Sequence, residues 1–280
     1  MSKICDGFIK RNDYLFCIDS DGCVMNTMDI KHIRCFGPCM VEEWELFEWE
    51  EPILKRWNEI NLYTITRGIN RFKALAKILR EINTKYCVID DLEMLEKWVN
   101  ESFELSNAAL ERAIAMSGSS CLKKVFSWSL KVNEMIQNLS LDEKEPFSGV
   151  RASLEYAHIV GDVAVISSAN RQAVMQEWEK YGLLDYVDIV LTQDNGSKAH
   201  CIQELLKKGY DKEHVIMVGD APGDQEAAKR NDVYFYPILV GHEEESWKEF
   251  NDLAIGRLCD RTYGGSYQIK KEAEFMNNLK

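Results

Sequence analysis

The sequence predicts an α/β fold, a parallel sheet with helices on both faces, interrupted by a helical insertion. Three observations predict it. A short apolar run, Tyr14-Leu-Phe-Cys-Ile18, stands near the start. From Asp162 onward, such runs alternate with single helix-like segments. Between them, 29–148 shows stripes of helical period. Strands joined through single helices pair in parallel by right-handed crossovers, which covers both sheet faces. The expected division is a core of 1–28 with 149–280 and an inserted helical domain of 29–148.

Each element follows from its local pattern. The run 14–18 is unbroken and ends at Asp19-Ser20-Asp21-Gly22, as a buried parallel strand stops at a turn. In the insertion, Ile69, Phe72, Leu75, Ala76 and Leu79 recur at three or four residues, and so do Leu122, Val125, Phe126, Ser129, Val132 and Ile136. Each stripe predicts one buried helix face. Trp57, Trp98 and Trp128 are expected in a core. The segment 42–51 holds six Glu around Trp44, Phe47 and Trp49, which predicts an amphipathic helix with a solvated acidic face. Pro38, Pro52 and Pro146 punctuate the insertion. Beyond it, 163–166, 187–191, 215–218 and 233–236 predict strands, and 172–181, 198–208 and 224–230 predict helices. His242 with Glu243–Glu245 is expected in a polar loop.

Charge and composition remove several function classes. Lys and Arg total 34 against 46 Asp and Glu, a net charge of −12. Nucleic acid and anionic membranes need clustered cations, so neither is an expected partner. No apolar run is long enough for a membrane helix, and none near the start resembles an export signal. With nine cysteines and no paired framework, a reducing cytoplasm is the expected compartment. His32, Cys35 and Cys39 have metal-ligand chemistry, but no second cluster completes a zinc site, so they are expected to be ordinary side chains. No G-x-G-x-x-G follows the first strand and no G-x-x-x-x-G-K-[ST] occurs, which argues against a dinucleotide-binding oxidoreductase and a P-loop enzyme.

Ligands in open α/β sheets bind beyond the carboxyl ends of the strands. The residues at those ends are Asp19 and Asp21, then Ser167 and Ser168, then Asp220 with Asp224 four residues on. Lys198 opens a helix after another strand. Each has an ordinary reading alone: a turn acid, a helix cap, a solvated lysine. A calcium loop starting at Asp19 fails, because its sixth and twelfth positions are Val24 and Ile30 rather than Gly and Glu. Together they suit phosphoryl transfer. Crowded carboxylates call for a hard cation, and Mg²⁺ takes a few carboxylates plus substrate phosphate. An Asp can attack phosphorus to give an aspartyl-phosphate. Lys and Ser orient the phosphoryl oxygens. An acid two residues along an extended chain faces the same side and can move protons.

Four stretches carry a family resemblance: Cys17-Ile-Asp19-Ser-Asp21-Gly22-Cys-Val, Val165-Ile-Ser167-Ser-Ala-Asn170, Lys198, and Val218-Gly-Asp220-Ala-Pro-Gly-Asp224. In these the chain resembles the haloacid dehalogenase superfamily of hydrolases. The resemblance implies a Rossmann-like core with a helical cap inserted after the first strand. It implies Asp19 as nucleophile and Asp21 as general acid/base. It also implies Mg²⁺ held by Asp19, the Asp21 backbone carbonyl and Asp220, with Asp224 nearby or ligating through water. Ser167 and Lys198 would bind the transferring phosphate. Members that cleave carbon–halogen bonds lack the second Asp, and related transport ATPases carry Thr there. Asp21 therefore points to phosphate esters.

Within the insertion, Thr66-Arg67-Gly68-Ile-Asn70-Arg71-Phe72-Lys73 is a local cation cluster. Arg67, Arg71 and, in the core, Ser168 are candidates for a substrate carboxylate or second phosphate. The alternative is a solvated helix start paired with nearby Glu. The expected function is Mg²⁺-dependent hydrolysis of a small phosphorylated metabolite, a phosphate monoester. The alternatives are a phosphomutase using the same intermediate and a non-catalytic phospho-ligand-binding protein.

Overall fold

Five short strands form one sheet in a computed structural model that describes residues 4–279. They are β1 (Leu15–Ile18), β2 (Asp162–Ile166), β3 (Ile189–Leu191), β4 (Val215–Gly219) and β5 (Tyr234–Pro237). All neighbours are parallel, in the order β3-β2-β1-β4-β5. Alternation explains why the central strands are apolar throughout. Phe16, Ile18, Val163, Val165, Ile216 and Val218 pack on one face with Trp178, Trp247 and Phe250. Leu15, Cys17, Ala164, Ile166, Val215 and Met217 pack on the other with Ile202, Leu205 and Phe275. Successive side chains point to opposite faces, and here helices cover both. In register, Ile18 stands beside Val165 and Val218, so β1, β2 and β4 end at one level.

The chain divides into two compact units, 1–28 with 140–280, and 29–139. The expected boundary at 148 is corrected. The amide of Asn26 donates to the Glu145 carbonyl at 2.8 Å, and that of Phe147 to Val24 at 3.0 Å. Met25 and Pro146 form an antiparallel bridge, and Lys180 pairs with Asp142 at 2.5 Å. The returning chain pairs with the outgoing one, so Pro146 sits inside that pairing rather than at a boundary.

After β5 the helical segments Glu243–Glu249, Phe250–Ala254 and Ile255–Cys259 run on directly, and Ser266–Asn278 follows. The polar loop expected at 242–245 is instead a helix start. His242 holds the N-cap position, and three Glu occupy the first turn, where the helix dipole favours acids.

The second unit is helical. Phe72, Leu75, Ala76 and Leu79 line one buried face of Arg71–Lys85, and Leu122, Val125, Ser129 and Val132 one of Ser120–Asn138. Trp57, Trp98 and Trp128 lie in the same core. The single helix expected over 42–51 is broken. Gly37–Glu43 ends there and Glu50–Asn58 begins, with Glu45 left-handed at φ 55° between them. The Leu46 amide reaches back to the Val41 carbonyl at 2.8 Å, as in a helix that closes through a left-handed residue. Glu42, Glu45, Glu48, Glu50 and Glu51 are exposed. His32, Cys35 and Cys39 are buried, and the His32 ring stacks on Phe36 at 4.6 Å. Among the described residues, no helix is long and apolar enough to cross a membrane.

Candidate active site

The site grows from the ends of β1, β2 and β4. Asp19 follows β1 directly, and its amide still donates to the Val218 carbonyl at 3.0 Å, so the sheet holds it. The chain then closes on Ser20, whose carbonyl accepts from the amides of Val24 and Met25, both at 2.9 Å. Gly22, at φ 80°, makes the turn. Asp21 is half-buried, and the Thr27 hydroxyl donates to its Oδ1 at 2.6 Å.

Ser167 follows β2 and is buried. Its Oγ accepts from the Ala169 amide at 3.0 Å, and Ser168 next to it is exposed. Lys198 is the first residue of the helix Lys198–Leu206, which Ser197 caps through its Oγ. Asp220 follows β4. Asp224 sits in the first turn of Pro222–Arg230, where its Oδ2 accepts from the Ala221 amide at 3.1 Å. Gly219 makes room for it: a Cβ at that position would collide with the Asp224 carboxyl group.

These residues converge. Lys198 Nζ lies 2.8 Å from Asp19 Oδ2 and 2.5 Å from Asp224 Oδ1. Asp19, Asp220 and Asp224 are all buried, and one oxygen from each lies within 4.8 Å of the others. Burial pushes the Asp19 carboxyl well above its ordinary range; Lys198 opposes this, while Asp224 and Asp220 add to it. Burial alone would lower Lys198, but the facing carboxylates of Asp19 and Asp224 more than offset it, so it stays an ammonium. Burial and the same three acids push the Cys23 thiol well up, which makes it a poor nucleophile. Three buried carboxylates, two of them paired with one ammonium, form an all-oxygen, negatively charged donor set, and that set fits a hard divalent cation such as Mg²⁺.

Of the residues expected at the site, Asp19, Lys198, Asp220 and Asp224 come together in one cluster. Ser167 stands at the end of the adjacent strand. The Asp21 side chain lies outside the carboxylate trio, beside Thr27. Arg67 and Arg71 belong to the second unit. The Arg67 guanidinium is buried and donates to the Leu62 carbonyl at 2.8 Å. Arg71 donates to Asn133 Oδ1 at 2.7 Å and lies over the Phe36 ring at 5.0 Å. The helix start is not fully solvated: Asn70 caps that helix, Arg67 is buried and Arg71 is half-buried. Sequence reasoning missed Thr27 and Trp178, whose indole Nε1–H donates to Ser20 Oγ at 2.9 Å. No spacing rule marks either contact.

Comparison with known proteins gives one family match. Residues 69–238, more than half of the chain, match the model of the haloacid dehalogenase-like hydrolases. The matched stretch includes Ser167, Lys198, Asp220 and Asp224 and starts after the Asp19–Gly22 loop. No curated protein matches. Among solved structures, the chain is similar to a haloacid dehalogenase-like family hydrolase from Streptococcus pneumoniae, at 12% identity, covering 85% of this chain and 90% of that one, with a TM-score of 0.48. A phosphoglycolate phosphatase candidate from Lactobacillus plantarum gives 12%, 84%, 90% and 0.47 on the same measures. A β-phosphoglucomutase candidate from Thermotoga maritima gives 16%, 80%, 84% and 0.43. Likeness at this level identifies no substrate.

Proposed function

The chain belongs to the haloacid dehalogenase-like hydrolase family, and on that premise we propose that it is a Mg²⁺-dependent phosphatase of a small phosphorylated metabolite. One observation carries the reading: Asp19 stands at the end of the central strand, 2.8 Å from Lys198 and inside a buried carboxylate trio. Asp19 must be ionised to attack. Burial opposes ionisation, and the ammonium beside it favours it.

In the first step Asp19 attacks phosphorus, the bond to the leaving oxygen breaks, and Asp21 gives that oxygen its proton. In the second, Asp21 takes a proton from water, the water oxygen attacks phosphorus, and the bond to Asp19 breaks. Phosphate leaves and the Asp19 carboxylate is restored. Lys198 and the Ser167 hydroxyl meet the phosphoryl oxygens throughout. Asp19, Asp220 and the Asp21 carbonyl, with Asp224 close by, would hold Mg²⁺, which would supply charge that offsets the anionic ester. The helical unit would act as a cap, and Arg67, Arg71 and, in the core, Ser168 are the candidates for a second anionic group on the substrate. A reducing cytoplasm suits its thiol-rich composition.

A panel of phosphorylated metabolites with Mg²⁺, scored for phosphate release and for isomerised product, tests this reading. Metal-dependent release from one small ester supports it. Isomerised product without release makes the enzyme a mutase, and no turnover of any member counts against catalysis.

A further inference from the structure

Ser20 separates the two acids and is fully buried. It continues the alternation of β1. Phe16 and Ile18 face the same core as Trp178, and the Ser20 hydroxyl meets the Trp178 indole there. Both ends of Ser20 are engaged. Its carbonyl accepts the amides of Cys23 (3.3 Å), Val24 (2.9 Å) and Met25 (2.9 Å), which closes the turn that carries Asp21. Its hydroxyl accepts from Trp178 Nε1 at 2.9 Å, across 158 residues of sequence. Trp178 is itself fully buried, on the helix Arg171–Lys180 that follows β2. A second indole holds the other side of the turn, with Trp247 Nε1 donating to the Cys23 carbonyl at 2.9 Å.

A buried serine and a buried indole each need a partner, and each supplies the other's. The bond fixes the one side chain between Asp19 and Asp21, so it fixes the rotation of the chain at that point. Because side chains alternate along an extended chain, that rotation sets where both carboxylates face. We propose that Trp178 is a positioning residue: its bond to Ser20 holds the Asp19–Asp21 segment in reacting geometry. This rests on the functional reading above. Trp178 touches no reacting atom; it acts through Ser20. The angular tolerance of catalytic groups is small, so a loosened turn costs turnover before it costs binding.

Two measurements on the full chain test it. Trp178→Phe keeps most of the buried ring and removes the donor, and Ser20→Ala removes the acceptor. Without metal or substrate, hydrogen exchange at the amides of Cys23, Val24 and Met25 is expected to rise about tenfold in either variant, with β1 and β4 unchanged. With Mg²⁺ and an aryl phosphate, kcat is expected to fall about tenfold with KM within about twofold. The double variant is expected to be no worse than the worse single one, because both remove the same bond. Unchanged exchange at 23–25, acceleration spread evenly over the sheet, or unaltered kcat in a folded variant overturns the proposal. Failure of the functional reading shows separately, as wild-type protein that releases no phosphate while the exchange result stands.

Discussion

The two ends of the same sheet each bury aspartates, and they treat them in opposite ways. At the amino end, Asp162 opens β2 and is surrounded by donors. It accepts from the Arg11 amide at 2.9 Å, the Asn12 amide at 3.2 Å, the Asn12 side chain at 3.1 Å and the Tyr210 hydroxyl. Asp188, just before β3, accepts from the Val163 amide at 2.8 Å. At the carboxyl end, Asp19 and Asp224 share the ammonium of Lys198, and Asp220 stands within 4.8 Å of both. The amino end is a finished structure, because hydrogen bonds repay the desolvation of each charge. The carboxyl end concentrates negative charge, a donor set that suits a hard divalent cation. Burial of an acid therefore does not mark function by itself; the balance of donors around it does.

The sharpest break between the two ends is a pair of matched substitutions. Asp19→Asn is expected to lower phosphate release from an aryl ester by at least about a thousandfold, with no loss of melting temperature, since it removes a charge that burial disfavours. Asp162→Asn is expected to do the reverse. It destabilises the fold by about 2–3 kcal/mol in urea unfolding and leaves kcat of the folded protein intact. If Asp19→Asn unfolds the protein while Asp162→Asn abolishes turnover, the assignment of the two ends is inverted.

Metal addition is the next largest effect. Mg²⁺ at about a hundred times its dissociation constant is expected to stabilise the fold by about 2.7 kcal/mol. Asp220→Asn should lose that increment and Asp162→Asn should keep it. Equal Mg²⁺ stabilisation of both variants by calorimetry would remove Asp220 from the ligand set.

The smallest effect concerns Tyr210. Burial, and then the hydrogen bond to Asp162, push its phenol above the ordinary 10.0. Its folded-state pKa is raised, so its contribution is whole below pH 10 and drains away as pH climbs further. Tyr210→Phe is expected to cost about 1 kcal/mol near neutral pH and to flatten the alkaline loss of stability. An unchanged alkaline limb would show that Tyr210 does not carry it.

The core of the candidate site could be read from sequence because its information is local. An unbroken apolar run announces a buried strand, and the residue after the run sits at the ligand-binding edge. Asp19 and Asp220 needed nothing more, since the parallel register of β1 with β4 brings their positions together. What escaped is set by distant pairing. Nothing around 140–148 says that it pairs with 24–26. Nothing near Ser20 announces Trp178. The break at Glu45 depends on a helix closing through a left-handed glutamate, a conformation that residue seldom adopts. The helix beginning at Glu243 was hidden by its own acids, which read as a solvated loop until the dipole they complement is seen.

The most direct measurement is acid-quenched mass spectrometry of Asp21→Asn mixed with Mg²⁺ and a reactive aryl phosphate. If Asp21 transfers the proton, its loss should slow release of the intermediate more than its formation, so a phosphoryl group is expected on the peptide that contains Asp19, and on no other. Phosphate release without that adduct, or an adduct on a different residue, would contradict the account.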